Sequence, residues 1–374
     1  MSRYKSAHRN EEKDVRTKAP WRILFFGTDE FAMESLKILS VSRQESSDRV
    51  VESLEVVTLG QNVPVRRFAR ENKLVVHDWP SVNPRGQFDV GVVVSFGCLL
   101  HEALIRQFPY GILNVHPSLL PRWRGSAPVF HTVLHGDAVT GVTIMQIRPK
   151  RFDVGPILSQ RVFQVPENST AEQLAASLAT MGACLLTDTL KNLPERIANS
   201  REQPQEGATF APKINVAMSW VVWEELSCEQ IGRLFRAIGS RIPLRTMWMG
   251  QVIKLLDFVG KFSVSESDDR SPAPGSIRYQ KESNTLHVRC KDGWVGFKGL
   301  MLRKRLSAAD FYNGYLHPFF LKRPGQQNHH CLFQSRPAQT QDRPIEQTGP
   351  NPGPAHRADQ PKLEQQPVTQ KSDI

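Results

Sequence analysis

The 374-residue chain predicts an α/β fold: a doubly wound, mostly parallel sheet, followed by a small β-barrel domain. Three observations carry this. Apolar, strand-like runs alternate with helix-like segments over the first half of the chain. One run, Asp89-Val-Gly-Val-Val-Val-Ser95, is almost wholly apolar, as a strand buried on both faces requires. Beyond about residue 207 the pattern changes to short strands separated by turn signals.

Residues 22–26 read as the buried first strand. Asp29 is placed to cap a helix that buries Phe31, Leu36 and Leu39. Gly27 stands alone after the strand, without the G-x-G-x-x-G pattern, which argues against a dinucleotide. Strands follow at 54–59 and 89–95, then a helix at 99–107. Residues 112–116 form a short strand that Pro117 should stop, because proline cannot donate to the ladder. Strands at 143–147 and 157–165 complete the set. Ser169-Thr-Ala-Glu172 reads as a capping box for a long helix with Leu174, Leu178, Met181 and Leu185 on one face.

The polar stretch 199–207 reads as part of a linker at 199–212. Ser227 and Gln230 then cap a further helix, with Ile231, Leu234, Phe235 and Ile238 inward and Gly239 as its stop. Short strands are expected at 252–259, 275–279, 285–290 and 294–302, with Lys291-Asp292-Gly293 as a hairpin turn. From about Pro324 the chain is rich in Gln, Pro, Ser and Thr and too poor in apolar residues to fold.

The formal charge is +11 and the pI about 9.6, so a polyanion such as nucleic acid is the first candidate partner; a merely basic protein is the alternative. The five cysteines are far apart in sequence and lack metal-ligand spacing, so they read as reduced thiols and no metal is expected. No apolar run reaches the ~20 residues of a membrane span, so no membrane partner is expected. Residues 1–20 carry six basic side chains but also Glu11, Glu12 and Asp14, a poor match to a mitochondrial transit peptide; they read as a leader.

The most informative feature is the pair Asn114 and His116 at the end of the 112–116 strand. Alternate residues share one face of a strand, so an amide and an imidazole converge there. An amide can hold a developing oxyanion and an imidazole can move a proton near neutral pH. Alone, a histidine that ends a strand is more often a structural hydrogen-bonding group than a catalytic one. Directly after it comes Ser118-Leu-Leu-Pro-Arg-Trp-Arg-Gly125, and later Asp153-Val-Gly155.

This ordered set resembles the folate-dependent formyltransferases, and over residues 113–158 the methionyl-tRNA formyltransferases of mitochondrial type. The resemblance spans about 21–318. It implies a formyltransferase-like Rossmann-type domain at 21–198, and an OB-like tRNA-binding domain at 213–323 followed by a tail at 324–374. It implies 10-formyltetrahydrofolate as formyl donor, methionyl initiator tRNA as acceptor, a monomer, and the mitochondrial matrix as location. Asn114, His116 and Asp153 become the expected catalytic set. Spacing alone would make Asp153 a turn carboxylate, and the bulky basic run Arg148-Pro-Lys-Arg-Phe152 before it departs from the family pattern.

The resemblance also assigns the folate pocket to Val94, Phe96, Gly97, Cys98 and Leu99 and to the loop Ser118, Leu119, Leu120 and Pro121. Arg122 and Arg124 flank Trp123, either as acceptor-end or folate contacts or as arginines packed around an indole. Residues 213–323 hold 18 Lys or Arg against 10 Asp or Glu, a net +8, as an RNA-binding domain requires. Arg303, Lys304 and Arg305 form the densest patch, with a solvated strand edge as the competing account, and Lys213 is a phosphate-contact candidate. Relatives of this type carry a longer loop after the second strand. Here residues 58–64 are short and hold no basic residue, so tRNA discrimination is expected to weaken unless Arg66, Arg67 and Arg70 take over. Other folate-dependent formyltransferases, a formyl-folate hydrolase and a catalytically silent RNA-binding homologue are the competing functions.

Overall fold

A computed structural model describes residues 16–84, 86–262, 272–322 and 332–335. Most of the expected leader and of the expected tail lies outside these residues.

Alternation along β1 (Trp21–Gly27) decides the layering. Ile23 and Phe25 enter one core, and Leu24 and Phe26 enter a second on the opposite face. Six more strands join it: β2 (Val51–Thr58), β3 (Val75–Asp78), β4 (Val90–Val94), β5 (Ile112–His116), β6 (Val139–Gln146) and β7 (Ile157–Gln164). The order is β3-β2-β1-β4-β5-β6-β7. The first five run parallel; β6 and β7 are antiparallel additions. Buried Asp89 ties the entry of β1 to that of β4. Its Oδ2 accepts Arg22 N at 2.8 Å, and its Oδ1 pairs with the guanidinium at 2.5 Å, which raises the Arg22 pKa.

The helices α1 (Glu30–Ser42), α2 (Pro64–Glu71), α3 (Glu102–Ile105), α4 (Pro128–His135), α5 (Ala171–Lys191) and α6 (Leu193–Ala198) surround the sheet or connect its strands. Asp29 caps α1 as expected, accepting from Phe31 N and Ala32 N. Three expectations need correction. The capping box of α5 is Thr170 with Gln173, one residue later than read from sequence, because Thr170 rather than Ser169 takes the extended N-cap conformation. The helix expected at 99–107 shrinks to the four residues of α3. Residues 64–71, for which the sequence suggests no element, form α2, started by Pro64 at a favourable first-turn position.

The second sheet is antiparallel: β8 (Leu244–Trp248), β9 (Gln251–Phe262), β10 (Ile277–Gln280), β11 (Thr285–Arg289), β12 (Trp294–Met301) and β13 (Arg305–Ser307). Its order is β10-β11-β12-β9-β8, with β13 beside β12. The helix α7 (Cys228–Ile238) has the expected capping box of Ser227 and Gln230, and it packs on α4. Cys228, at the start of α7, and Cys290, before the β11–β12 turn, bring their sulfurs to 3.3 Å, although their separation in sequence suggests isolated thiols. Asp292 in that turn accepts Cys228 N at 2.7 Å, so the carboxylate caps the helix start. Burial pushes both thiols up from their ordinary pKa.

The largest correction concerns the expected tail. Leu332 bridges Ser276 beside β10, and Gln334 bridges Met247 in β8. Residues 332–335 therefore join the two ends of the β10-to-β8 path, which makes the domain a closed ring of strands. Phe333 is 1 % exposed, stacks on Trp223 and lies tilted against Phe311, each with ring centroids 6.2 Å apart. Composition averaged over the tail hid one anchoring aromatic. Phe333→Ala should lower the stability of this domain by about 3–5 kcal/mol. Chemical denaturation followed by tryptophan fluorescence tests this, and an unchanged midpoint would show that the ring holds without its plug.

Candidate active site

Asn114 and His116 leave the same face of β5, and Pro117 follows. Asn114 lies opposite Val93 and Met145, and His116 opposite Thr143. Because β4 ends at Val94, the pair stands at the carboxyl end of the parallel strands. The strand order reverses between β1 and β4, and the crevice outside such a switch point is where open α/β sheets take ligands.

Asp153 arrives on the loop between β6 and β7. Its Oδ1 accepts Asn114 Nδ2 at 3.2 Å and lies 3.7 Å from His116 Nδ1, while Oδ2 accepts Gly125 N at 2.8 Å. One carboxylate thus gathers the strand pair and the loop that follows it. Asp153 sits in the left-handed region, φ +52°, a conformation that needs support. Gln203 supplies it. Its Nε2 donates to Asp153 O at 2.9 Å and to Gly155 O at 2.8 Å. Gly155 is required here, because a Cβ would meet Gln146 O at 1.7 Å. Gly125 is required too: its φ is +124°, and a Cβ would stand 2.7 Å from Ala211 O.

His116 Nε2 lies 2.9 Å from Trp123 O. A carbonyl oxygen only accepts, so Nε2 carries the hydrogen, and in the neutral ring the lone pair is on Nδ1, facing Asp153. The side chains of His116 and Asp153 are 5 % and 10 % exposed. In so dry a place, charge and hydrogen bonding act more strongly than in water.

The residues expected at the folate pocket divide. Gly97 is exposed with φ +79°, and no atom of the described residues lies within 4 Å of where its Cβ would be, so a ligand can approach the backbone. Leu99 is exposed; Cys98, Leu119 and Pro121 are partly so. Val94, Phe96, Ser118 and Leu120 are buried and offer no side-chain surface. Phe96 packs edge-on against Phe26 and Trp79. Ser118 Oγ donates to Arg122 O, while Thr143 and Gln160 tie down the backbone of Ser118 and Leu120. These four hold the crevice's shape.

The expected nucleic-acid contacts also divide. Lys213, Arg303, Lys304 and Arg305 are exposed, Arg305 being paired with Asp257 at 2.7 Å. Arg122 is 42 % exposed at its side chain and paired with Asp137. Arg124 is a correction: it is buried, its guanidinium bonds Gln203 Oε1 at 2.9 Å and 3.0 Å, and burial lowers its pKa, as does Arg151 nearby. It braces the glutamine that braces Asp153. Arg66 is a second correction. It is buried, donates to Gly60 O at 2.7 Å and pairs with Asp78, so it pins the short loop down; Arg67 and Arg70 remain exposed.

Sequence reasoning missed Gln203, which stands in the stretch read as linker. That stretch is packed: Arg201 bridges Ile157, and Phe210 bridges Arg124. No periodicity marks a lone glutamine before a proline. Phe152, just before Asp153, and Phe210, within the packed stretch, are 47 % and 70 % exposed and were also unassigned.

Residues 22–190 match the family described as formyl transferase, and 213–316 match the formyl transferase C-terminal domain. The chain is 56 % identical to the mitochondrial methionyl-tRNA formyltransferase of Homo sapiens over 329 residues, covering 86 % of this chain and 84 % of that protein. The Bos taurus counterpart is 53 % identical over the same shares. Among solved structures, the N-formyltransferase of Helicobacter canadensis superposes with a TM-score of 0.53 at 16 % identity, covering 74 % of this chain and 98 % of that one, a likeness of fold alone. The chain belongs to the formyl transferase family, on the branch of the mitochondrial methionyl-tRNA formyltransferases.

Proposed function

We propose that the protein transfers a formyl group from 10-formyltetrahydrofolate to the amino group of methionyl initiator tRNA, in the mitochondrion, for the start of translation. The observation that carries the mechanism is the convergence of Asn114, His116 and Asp153 at the carboxyl end of β5. Relatives named mitochondrial methionyl-tRNA formyltransferases, 51–56 % identical, support the substrate and the compartment.

The reaction is acyl transfer. The amine nitrogen attacks the formyl carbon, and the carbonyl oxygen takes up negative charge. Asn114 spends one amide hydrogen on Asp153; its second is available to that oxyanion. The attacking nitrogen must lose a proton, and Nδ1 of neutral His116 is the lone pair positioned to take it. The imidazolium so formed sits between the Trp123 carbonyl at Nε2 and the Asp153 carboxylate at Nδ1. The C–N bond to folate then breaks, and the leaving nitrogen receives the proton from His116. Neither a covalent enzyme intermediate nor a metal is needed for these steps. Gly97 and Leu99, both exposed, and the partly exposed Leu119 and Pro121 are the residues offered to the folate ring system.

The tRNA is held by charge. The net +8 of residues 213–323 gives a polyanion its attraction, with Lys213 and the patch of Arg303, Lys304 and Arg305 as phosphate partners. The domain limits read from sequence, 21–198 and 213–323, serve as the working division of labour.

Replacing Asn114 or His116 by Ala should lower kcat at least ~100-fold with little change in tRNA affinity. Single-turnover formylation together with filter binding measures both, and near-normal turnover in either variant removes the assignment. Replacing Arg303, Lys304 and Arg305 together by Ala should flatten the salt dependence of tRNA binding, by about one unit of slope for each side chain that neutralises a phosphate in the wild type. Folate binding should be unchanged, and an unaltered slope would mean that the patch serves solubility only. Because Arg66 pins the loop after β2, discrimination between initiator and elongator tRNA should be weak, and inserting a longer basic loop between Leu59 and Val63 should raise it. The ratio of kcat/KM on the two charged tRNAs decides, and equal ratios before and after insertion would place the reader elsewhere.

A further inference from the structure

We propose that Asp137 is a positioning residue for the reaction: it clamps Trp123 and Arg122, and through the Trp123 carbonyl it fixes which nitrogen of His116 accepts the proton. The proposal rests on the role given above to His116 and names a remote control of it.

The route is short and continuous. Asp137 follows Gly136, whose left-handed conformation, φ +68°, ends α4 and turns the chain. From there one carboxylate meets two residues of the 118–125 loop. Its Oδ2 accepts Trp123 Nε1 at 2.7 Å and Arg122 Nε at 2.8 Å, and its Oδ1 accepts Arg122 Nη2 at 2.6 Å. The guanidinium so held lies over the indole, 4.2 Å from the ring centroid. His131 and His135 pack against the indole, with centroids at 5.4 Å and 4.5 Å. Thr209 Oγ1 accepts Trp123 N at 2.9 Å.

These contacts hold a conformation that a tryptophan does not adopt unaided. Trp123 has φ +63°, in the left-handed region that disfavours bulky side chains. That backbone setting aims its carbonyl at His116 Nε2. If the indole were released, the backbone would relax toward an ordinary φ and the carbonyl would turn away. His116 would then lose the acceptor that keeps hydrogen on Nε2. Asp153, on the other side at 3.7 Å, would draw hydrogen to Nδ1 instead, and the lone pair would leave the reaction side. Among the described residues, the hydrogen bonds of the Asp137 carboxylate go to Arg122 and Trp123, so its effect on His116 passes through the tryptophan backbone.

The test compares full-length wild type with Asp137→Ala, Asp137→Asn and Trp123→Phe, the last keeping the aromatic packing while removing the indole donor. Long-range proton–nitrogen correlation spectra of protein labelled with 15N-histidine report the tautomer of His116, assigned by loss of its signals in His116→Gln. Wild type should show hydrogen on Nε2. Asp137→Ala should show a mixture, with kcat down at least ~10-fold and KM for folate and tRNA within about twofold. Trp123→Phe and Asp137→Asn should shift in the same direction by less, and they carry the test should Asp137→Ala fail to fold. A folded variant with reduced melting temperature but an unchanged His116 tautomer would overturn the proposal and leave Asp137 a stabilising residue only. A changed tautomer with undiminished kcat would uphold the clamp and instead overturn the proton-transfer role of His116.

Discussion

Everything at the active site is arranged around a carboxylate that cannot be placed cheaply. Asp153 must take a left-handed backbone conformation to bring its oxygens to Asn114, His116 and Gly125 at once. The turn around it admits no side chain at Gly155, and its two carbonyls need the amide of Gln203. Gln203 in turn is held by the buried guanidinium of Arg124. Segments far apart in sequence therefore share one hydrogen-bonded knot, and the loss of any strand of it is felt at the same atoms.

This explains why charged and polar residues with opposite fates lie side by side in the Arg122–Trp123–Arg124 triplet. Arg122 faces outward and meets Asp137, while Arg124 turns inward and meets Gln203. The positive φ at Trp123 makes the reversal possible, since residues two apart in a regular extended segment would share one face. Two similar arginines thus serve two levels of the same site. Neither is interchangeable with lysine, because each uses its guanidinium fork on two hydrogen bonds.

Much of this was legible in the chain. The strand that ends at Pro117, the shared face of Asn114 and His116 and the capping box at Ser227 all follow from local rules, and the structure has the geometry those rules require. What was illegible depended on tertiary partners. Gln203 has no local signature, because its importance comes from the distant carbonyls of Asp153 and Gly155. The burial of Arg124 and Arg66 could not be read from composition, which counts each as a surface charge. Phe333 was lost in the average over a polar tail, because one aromatic residue does not change a mean but does fill a barrel.

The ring of the second domain has a consequence for how the protein is made. Its closing contact joins Thr246 to Gln334, 88 positions apart, whereas the first sheet is complete once β7 has emerged. On a ribosome the catalytic layer can therefore assemble while the barrel still lacks its last stave. Until residues 332–335 leave the exit tunnel, β8 and β10 keep open edges, which are templates for pairing with other chains. A stop codon a few positions before Leu332 would spare every group at the active site and still yield a polypeptide prone to aggregate, so loss of abundance, not loss of chemistry, would be its phenotype.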